Sequence, residues 1–385
     1  MQFQFTPEQD AFRDEVRAFL AETLTEDFWD YHAANELPGW SPRFSREAAA
    51  RGLLGIAWPT EYGGLGKDVV EQTIYMEEMA YAGAPQEHHR RAVQQVGPSI
   101  MLAGTEAQKQ RYLPGIAAAT ISFAMGLSEP NAGSDLANVE TTAIRDGDEF
   151  VVNGRKRFTS GAHFSDFLWT VARTDPGAPK HRGISMMVVP LNAPGVEVRP
   201  LIDLQNRHHF NEVFLEDVRV PLDHLVGEEN RGWYINAQTM DLERSGGAHI
   251  GALRRHLDQC LAAARRLQTH GNAAARPARW ELAECSIRVE LARLLAYRVA
   301  WLRGLGHMPN YEVSIVKLLA TETHQRLANV MLNVYGLAGL DAGGEAEADT
   351  WGTAYLDMVS KTIGQGSSEI QRNVIATRGL GLPRG

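Results

Sequence analysis

The first part of the chain has the hydrophobic spacing of amphipathic helices. Thr6-Pro7-Glu8-Gln9 combines an N-cap residue, a proline at the first helical position and a glutamine placed to close a capping box. Apolar residues then recur at helical intervals, at Phe12, Val16, Phe19 and Leu20. Related segments, separated by prolines and glycines, continue to about residue 120, so this part is predicted to be helical.

Short β-rich runs with frequent turns replace this spacing from about Ile121 to Gly227. The run Phe150–Val152 leads into Asn153-Gly154, a dipeptide that favours a two-residue hairpin turn. Further runs of β-branched and aromatic residues are typical of strands. They are Phe167–Val171, Ile184–Val189 and Glu212–Leu215.

Helical spacing returns after Gly232, and a third helix of this region is predicted to begin at Asn310. The first helix carries the stripe Ile250, Leu253, Leu257, Leu261 and Ala264; the second carries Ile287, Leu291, Leu294, Leu295 and Val299; the third carries Ile315, Val316 and Leu319. The order helical, β, helical predicts an α+β multidomain protein with domains at 1–121, 122–231 and 232–385.

Composition narrows the class of protein. With 385 residues, 44% hydrophobic and 22% charged, the chain is long and apolar enough for several folded domains, which excludes a disordered protein. The net charge of -9, with no block of like charges, argues against nucleic acid or anionic membrane surfaces as main partners.

Nothing in the sequence predicts export or membrane insertion. No apolar run approaches the ~20 residues that a membrane helix needs. The opening MQFQFTPEQDAF lacks the basic segment and apolar core of a secretory signal. Two cysteines, Cys260 and Cys285, cannot form a disulfide framework. We therefore expect a cytoplasmic enzyme.

Several segments could carry chemistry, although each also has an ordinary structural reading. Ser128–Asp135 is a turn of small residues whose N–H groups and hydroxyls could bind an anion, or simply a polar turn. The pairs His88-His89 and His208-His209 have no partner at metal-ligand spacing, so no metal site is expected. Glycine motifs of dinucleotide folds, P-loops and nucleophile elbows are missing from the sequence.

Two glycine-containing segments stand out near the C-terminal half. Gly246 and Gly247 fall inside a predicted helix, where each costs about 1 kcal/mol relative to alanine, so another element is expected to pack closely there. Gly364–Arg372 reads as a glycine-rich turn entering a helix at about Ile370. A helix N-terminus offers free N–H groups to an anionic ligand.

Taken together and in this order, the segments resemble the acyl-CoA dehydrogenase family. The matches are Phe123–Asp135, Asn153–Ser160, Glu216–Gly232 and Gly366–Arg372, and the resemblance covers essentially the whole chain. It implies an N-terminal helical domain, a central β-barrel-like or sandwich domain and a C-terminal four-helix bundle. It further implies FAD-dependent conversion of an acyl-CoA to the trans-2-enoyl-CoA, with electrons passed to an electron-transferring flavoprotein.

The resemblance also assigns roles to residues. Along the flavin it places Met125, Leu127, Ser128, Phe158, Thr159 and Ser160. Phe158 stands where the family usually has Trp, and Ser160 would lie near flavin N5. Gly133 and Ser134 would lie near the phosphates and the acyl-CoA, and Ser367 and Glu369 would hold the FAD. Asp241 and Arg244, together with Ser134, would contact the substrate.

The catalytic base departs from one common family pattern. Many members carry a glutamate where this chain has Gln365, and an amide cannot accept a proton at accessible pH. Isovaleryl-CoA and long-chain enzymes place the base within a sequence similar to Leu-Asp-x-Glu-Arg, and Met240–Arg244 matches it. Glu243 is therefore the expected base, while the backbone N–H of Gln365 would polarise the thioester carbonyl.

A second departure concerns assembly. The family elements that grip a neighbouring subunit's FAD are poorly matched at Arg266–Gly271 and Asn333–Gly339. In this respect the chain is similar to bacterial steroid side-chain dehydrogenases, which pair two unlike subunits, so both a homotetramer and a heterotetramer stay open. Two other readings stay open: a non-catalytic or co-catalytic subunit, and a flavin monooxygenase or oxidase on the same fold. The acyl chain length, its branching and a steroid substrate are likewise undecided.

Overall fold

The structure is a computed structural model that describes residues 4–243, 246–270, 275–340 and 347–383. These residues form twelve α-helices and eight β-strands. The helices are α1 Pro7–Thr23, α2 Glu26–Asn35, α3 Pro42–Ala50, α4 Val69–Ala82, α5 Gly97–Ala103, α6 Glu106–Ala117, α7 Gly232–Glu243, α8 Gly247–Thr269, α9 Ala275–Gly304, α10 Tyr311–Tyr335, α11 Glu347–Lys361 and α12 Ser368–Val374. The strands are β1 Phe123–Gly126, β2 Thr142–Asp146, β3 Glu149–Lys156, β4 Phe167–Arg173, β5 Ile184–Pro190, β6 Val196–Ile202, β7 His208–Pro221 and β8 Leu225–Val226.

The first helix forms as its sequence predicts. Thr6 Oγ1 accepts a hydrogen bond from Gln9 N at 3.3 Å, and Gln9 Oε1 accepts one from Thr6 N at 3.1 Å, which closes the capping box. The predicted apolar stripe of α1 is fully buried. Local capping chemistry and periodicity were sufficient here.

The strands form one mixed sheet in the order β6-β7-β3-β2-β4-β5-β8, with β1 pairing in parallel with β4. The predicted runs lie within β4, β5 and β7. Residues from both halves of this sheet pack into one apolar core, among them Phe150, Val152, Leu168, Met187 and Val213. The central β domain of the predicted fold class is thereby confirmed.

The hairpin turn predicted at Asn153-Gly154 is wrong. The chain reverses at residues 147 and 148, between Asp146 of β2 and Glu149 of β3, where Gly147 has φ +63. Strand β3 then continues through Asn153. Asn153 is held in the strand by Asp217 of β7, whose carboxylate accepts its Nδ2 at 3.0 Å and whose N–H donates to its Oδ1 at 2.9 Å. Gly154 sits at a bulge, where a Cβ would lie 2.3 Å from Thr141 Oγ1. Pairing with β7 therefore overrides the turn preference.

The C-terminal helices α8, α9, α10 and α11 share an apolar core. The predicted stripe of α8 faces this core, with Leu261 only half-buried. The predicted stripe of α9 is wrong in part, because Ile287 is 69% exposed and Leu291 is 47% exposed. The buried positions of α9 are smaller, and they include Cys285, Ala292 and Ala296. Small side chains allow these helices to approach closely, which apolar size alone does not reveal.

The helix predicted to run through Gly246 and Gly247 is interrupted there. Gly246 has φ +97 and precedes the first residue of α8, while α7 ends at Glu243. Close packing is nevertheless present, because a Cβ on Gly247 would lie 2.9 Å from Met76 Cβ, and one on Gly251 would lie 2.1 Å from the backbone oxygen of Glu77. The glycines thus serve both the break and the helix crossing.

The chain divides into two compact units. One consists of Met1–Leu24, Asp68–Ala84 and Arg244–Gly385, so that α1 and α4 pack with the C-terminal helices. The other consists of Thr25–Lys67 and Pro85–Glu243 and contains the sheet. The predicted domain boundaries stay predictions. Within the described ranges, every helix is too short or too polar to span a bilayer, and both cysteines are buried free thiols.

Candidate functional site

A buried ion pair fixes the loop that follows β1. Glu129 is 5% exposed, and its Oε1 accepts Lys156 Nζ at 2.7 Å and Thr141 N at 3.1 Å. Lys156 is fully buried and also donates to the Val171 carbonyl at 2.7 Å. Although burial opposes ionisation of Glu129, the charge of Lys156 holds its pKa below the usual range. Because the polar atoms of both side chains have partners, the loop has one defined position.

The residues predicted to line the flavin edge and the phosphates lie on this loop, apart from Met125, which lies in β1. Met125, Leu127 and Ser128 are half-buried, whereas Gly133 and Ser134 are exposed. A Cβ on Gly133 would have nothing within 4 Å, so its backbone is open to a ligand. The loop is therefore held firmly at Glu129, whereas Gly133 and Ser134 are accessible.

The segment predicted to face the flavin ring follows β3. Phe158 has φ +56, a conformation that aromatic residues rarely adopt, and its side chain is 56% exposed. Thr159 is fully buried, and its Oγ1 has no hydrogen-bond partner. Ser160 is half-buried. Arg157 N donates to Ser128 O at 2.8 Å, which joins this segment to the preceding loop. An exposed aromatic ring held in a strained backbone is typical of a ligand site.

The helix that carries the predicted base is firmly anchored. At the start of α7, a Cβ on Gly232 would lie 2.3 Å from Met186 N, so only glycine allows this close approach to β5. Asn236 and Thr239 are buried along the helix, and Thr239 contacts Ser99. The last residue of α7 is Glu243.

Part of the predicted substrate contact set lies outside what the structure describes. The backbone of Asp241 and Glu243 is helical, but their side chains are outside the described part. Arg244 lies wholly outside the described residues.

The turn before α12 is fixed by two side chains from neighbouring helices. Gln365 and Gly366 have φ +59 and +88, so the chain passes through two left-handed residues. Lys317 of α10 is fully buried and donates to Gly366 O at 2.7 Å, and Gln371 Nε2 donates to the same oxygen at 3.1 Å. The conformation of the main chain at Gln365 is thereby set from α10 and α12.

Ser367 and Glu369, the predicted FAD contacts of this region, begin α12. Ser367 Oγ accepts Ile370 N at 3.4 Å as the N-cap. Glu369 is exposed, and hydrogen bonds from its own backbone N–H and from Ser367 lower its pKa. Ser368 N donates to Thr362 O at 2.9 Å, and Gln371 N donates to Ser367 O at 2.9 Å, so the N–H groups at the start of this helix bond within the protein.

The residues present fit FAD. Three buried polar atoms next to the predicted contacts have no hydrogen-bond partner in the protein: Thr159 Oγ1, Ser368 Oγ and Gln371 Oε1. Buried polar groups in folded proteins are nearly always satisfied, so these three atoms are available to bond with a polar ligand. The flavin, with its carbonyls and ring nitrogens, and the ribityl and phosphate groups offer the required donors and acceptors.

Sequence reasoning missed residues that hold these segments. Glu129 was read only as part of a turn, and Lys156 as part of a family match. Lys156 shares the inward side of β3 with Phe150 and Val152, and a lysine in such a position is a signal for a buried carboxylate partner. Lys317 similarly falls among buried residues of α10.

The histidine pairs bond to protein groups. His89 Nδ1 lies 2.8 Å from Ser45 Oγ, His88 Nε2 lies 3.2 Å from Ala119 O, and His208 Nε2 lies 2.7 Å from Asn211 Oδ1. In the part of the chain that the structure describes, no group of three His, Cys, Asp or Glu side chains is placed to hold a metal ion.

Three family models match the chain in succession. The N-terminal domain of acyl-CoA dehydrogenases matches residues 6–120, the middle domain 124–218 and the C-terminal domain 230–380. Only residues 121–123 and 219–229 fall between these ranges. The match thus spans the helical and β parts alike.

Individual relatives agree along the full length. The acyl-CoA dehydrogenase IpdE1 of Mycobacterium tuberculosis (strain ATCC 25618 / H37Rv) is 36% identical over 97% of each chain. The Tcur3481-Tcur3483 steroid ACAD superposes with a TM-score of 0.89 at 32% identity, covering 100% of both chains. The ChsE4-ChsE5 complex from Mycobacterium tuberculosis superposes with a TM-score of 0.86 at 31% identity, again over 100% of both chains.

Proposed function

Because the chain belongs to the acyl-CoA dehydrogenase family, we propose that Glu243 removes the α-proton of an acyl-CoA thioester to give the trans-2-enoyl-CoA. The protein is an FAD-dependent acyl-CoA dehydrogenase. When bound, FAD supplies the hydride acceptor at its N5 position. The observation that carries the proposal is the placement of Glu243 as the last residue of α7, a helix whose start and middle are tightly packed.

Glu243 is suited to accept a proton by the surroundings proposed for it. A carboxylate beside an apolar substrate becomes a stronger base, because burial disfavours its charged form. Asp241 and Arg244 are proposed to contact the substrate from the same segment.

The backbone N–H of Gln365 is proposed to donate to the thioester carbonyl oxygen. An α-proton next to a thioester is weakly acidic, so negative charge that develops on the oxygen needs a positioned donor. Lys317 and Gln371 hold the turn in one conformation, which is the preorganisation that such a donor requires. The Gln365 side chain itself takes no proton.

FAD is proposed to contact the residues that the family resemblance assigns to it. They are Met125, Leu127, Ser128, Gly133, Ser134, Phe158, Thr159, Ser160, Ser367 and Glu369. The unpartnered hydroxyls at Thr159 and Ser368 support this assignment. We further propose a cytoplasmic location, consistent with two free thiols, and an electron-transferring flavoprotein as acceptor.

The proposed reaction is tested by assaying the purified protein against a panel of CoA esters with an artificial electron acceptor. One neighbour is named a steroid ACAD, so esters of steroid side chains belong on the panel beside straight and branched acyl chains. Glu243→Gln keeps the shape of the side chain and should retain FAD, but turnover should fall by at least ~10²–10⁴. Gln365→Ala should cost much less, because only its backbone is used. Near-normal turnover of Glu243→Gln would reassign the base.

A second candidate is a role as one of two unlike subunits. Two structural neighbours are complexes named for two chains. On α9, the apolar side chains Trp280, Ile287, Leu291 and Trp301 recur on one helical face and are 39–72% exposed. A large exposed apolar face needs a partner, so we propose that α9 contributes to an interface with another dehydrogenase-like chain, either identical or unlike.

A further inference from the structure

Consecutive residues of β7 contact consecutive residues of the segment predicted to face the flavin. The rings of Phe210 and Phe158 meet edge to face, with centroids 6.1 Å apart. Asn211 and Thr159 exchange backbone hydrogen bonds, with Thr159 N donating to Asn211 O at 2.9 Å and Asn211 N donating to Thr159 O at 3.0 Å. The strained Phe158 therefore precedes Thr159, whose backbone is held by hydrogen bonds to Asn211.

The next residue along β7, Glu212, contacts residues that precede Phe158. Glu212 accepts a hydrogen bond from Arg155 and forms an ion pair with Arg157, whose Nε lies 3.5 Å from Glu212 Oε1. Arg157 in turn lies over the Phe158 ring, at 5.1 Å from its centroid. Contacts from β7 thus bracket Phe158 on both sides in sequence.

The side chain of Asn211 has only one orientation that satisfies its neighbours. It is fully buried, and its Nδ2 lies 3.0 Å from Thr159 O and 3.1 Å from His163 Nδ1, while its Oδ1 lies 2.7 Å from His208 Nε2. Because a carbonyl oxygen only accepts, the nitrogen of the amide must face Thr159. Its second hydrogen then meets His163 Nδ1, which must be the unprotonated ring nitrogen.

The Asn211 amide therefore determines the tautomers of both His163 and His208. His208 carries a proton on Nε2, which it donates to Asn211 Oδ1. His163 carries its proton on Nε2, a buried atom without a partner in the protein. The two rings stack with centroids 3.9 Å apart. One amide thus connects the main chain at Thr159 with two rings of defined tautomer.

We propose that Asn211 is a positioning residue, which holds Phe158 and Thr159 in the conformation that binds FAD by means of an amide network shared with His163 and His208. This inference rests on the proposed function, because it assigns Phe158 and Thr159 to the flavin. Asn211 acts through these residues and has no part in proton or hydride transfer. Its removal would release Thr159 O from one of two donors and free both rings to rotate.

The first test compares Asn211→Ala with Asn153→Ala in the full chain loaded with FAD. Asn153 is the matched control, since it also makes two hydrogen bonds between β3 and β7, but it is exposed and contacts Asp217. The dissociation constant of FAD is measured from the fluorescence of released flavin, together with the visible circular dichroism of the bound flavin. Asn211→Ala should weaken FAD binding about tenfold, the equivalent of one buried hydrogen bond, and alter the dichroism, whereas Asn153→Ala should do neither.

If Asn211→Ala does not fold, Asn211→Asp takes its place, since it keeps the shape and Oδ1 but removes both N–H donors. Unchanged FAD affinity and dichroism in a folded Asn211 variant would overturn the proposal, as would equal effects in the Asn153→Ala control. A wild-type protein that binds no FAD, whether made alone or with a second dehydrogenase-like subunit, would instead contradict the proposed function.

A second test needs no flavin. Nitrogen-15 NMR of histidine-labelled protein at pH 8 reports which ring nitrogen carries the proton, and the His163→Gln variant identifies the signals of His163. The proposal requires a proton on Nε2 of His163 in the wild type and a mixture of tautomers in Asn211→Ala. A proton on Nδ1 of wild-type His163 would contradict the amide orientation and with it the network.

Discussion

At the scale of single residues, the buried ion pair of Glu129 and Lys156 is a contact whose loss should destabilise the protein. Lys156→Met leaves the buried Glu129 carboxylate without its cation, and breaking one side of a buried pair typically costs ~3–5 kcal/mol. We expect a decrease of this size in the free energy of unfolding, measured with urea at pH 7. The variant should also bind FAD more weakly, because the loop from Ser128 to Ser134 loses its attachment to β3.

A matched control is available on the same sheet. Arg219 forms exposed ion pairs with Asp146 and Glu149, so Arg219→Met should change the free energy of unfolding by no more than ~1 kcal/mol. The double variant Glu129→Gln/Lys156→Met removes both charges and should recover part of the loss. If Lys156→Met proves as mild as Arg219→Met, the loop is held by its backbone contacts instead.

Sequence reasoning succeeded at single residues where the partners are close along the chain. The Thr6 capping box joins residues three positions apart, so a segment of four residues is enough to predict it. Lys156 meets Glu129 across 27 positions and Lys317 meets Gly366 across 49. No local pattern encodes such pairs, because the fold brings them together. The roles predicted for Ser128, Phe158 and Glu243 came from a family resemblance and stay predictions.

At the scale of secondary structure elements, the close crossing of α4 and α8 depends on glycine. A Cβ on Gly251 would lie 2.1 Å from the Glu77 backbone oxygen and 2.9 Å from Ala80 Cβ. Backbone cannot yield as a flexible side chain does, so Gly251→Ala must push the two helices apart. We expect a loss of at least ~1–3 kcal/mol in the free energy of unfolding, the usual cost of overpacking, measured by urea unfolding.

Gly304, at the end of α9, provides the comparison. A Cβ there would have nothing within 4 Å, so Gly304→Ala should be neutral or stabilise the protein by up to ~1 kcal/mol through helix propensity. A loss in Gly251→Ala no larger than the change in Gly304→Ala would show that α4 and α8 can separate without cost.

Elements were predicted well where one periodicity acted alone. The stripe of α8 is apolar at each predicted position and faces the core. In α9, apolar residues occupy two faces, and size misled the prediction because the small residues Ala292 and Ala296 are the buried ones. At Asn153-Gly154, a strong turn signal lost to pairing with β7. A hydrophobic pattern does not show which of two apolar faces packs against a neighbouring helix. Nor does a turn dipeptide show whether a distant strand will pair with it instead.

At the scale of the whole molecule, the exposed face of α9 and the poorly matched FAD elements both bear on whether the chain assembles with an unlike subunit. Arg266 lies near the end of α8, and Asn333 near the end of α10; Gly271 lies outside the described residues. Trp280 and Ile287 are 72% and 69% exposed on a helix of a bundle that is otherwise well packed. Large apolar side chains in this position favour burial against another chain.

The last prediction is that the protein expressed alone binds less than one FAD per chain or is poorly soluble. If part of each flavin site comes from a neighbouring subunit, altered residues at 266–271 and 333–339 make a second copy of this chain a poor neighbour. Each FAD is then bound more weakly, and the uncovered α9 face promotes aggregation. Co-expression with a second dehydrogenase-like subunit should restore the yellow colour and the turnover. The measurement is flavin absorbance per protomer combined with light scattering, on protein made with and without that subunit. One FAD per chain in a stable homotetramer, with residues such as Arg265, Gln268 or Asn333 replacing the missing contacts, would refute the need for an unlike partner while leaving the dehydrogenase activity intact.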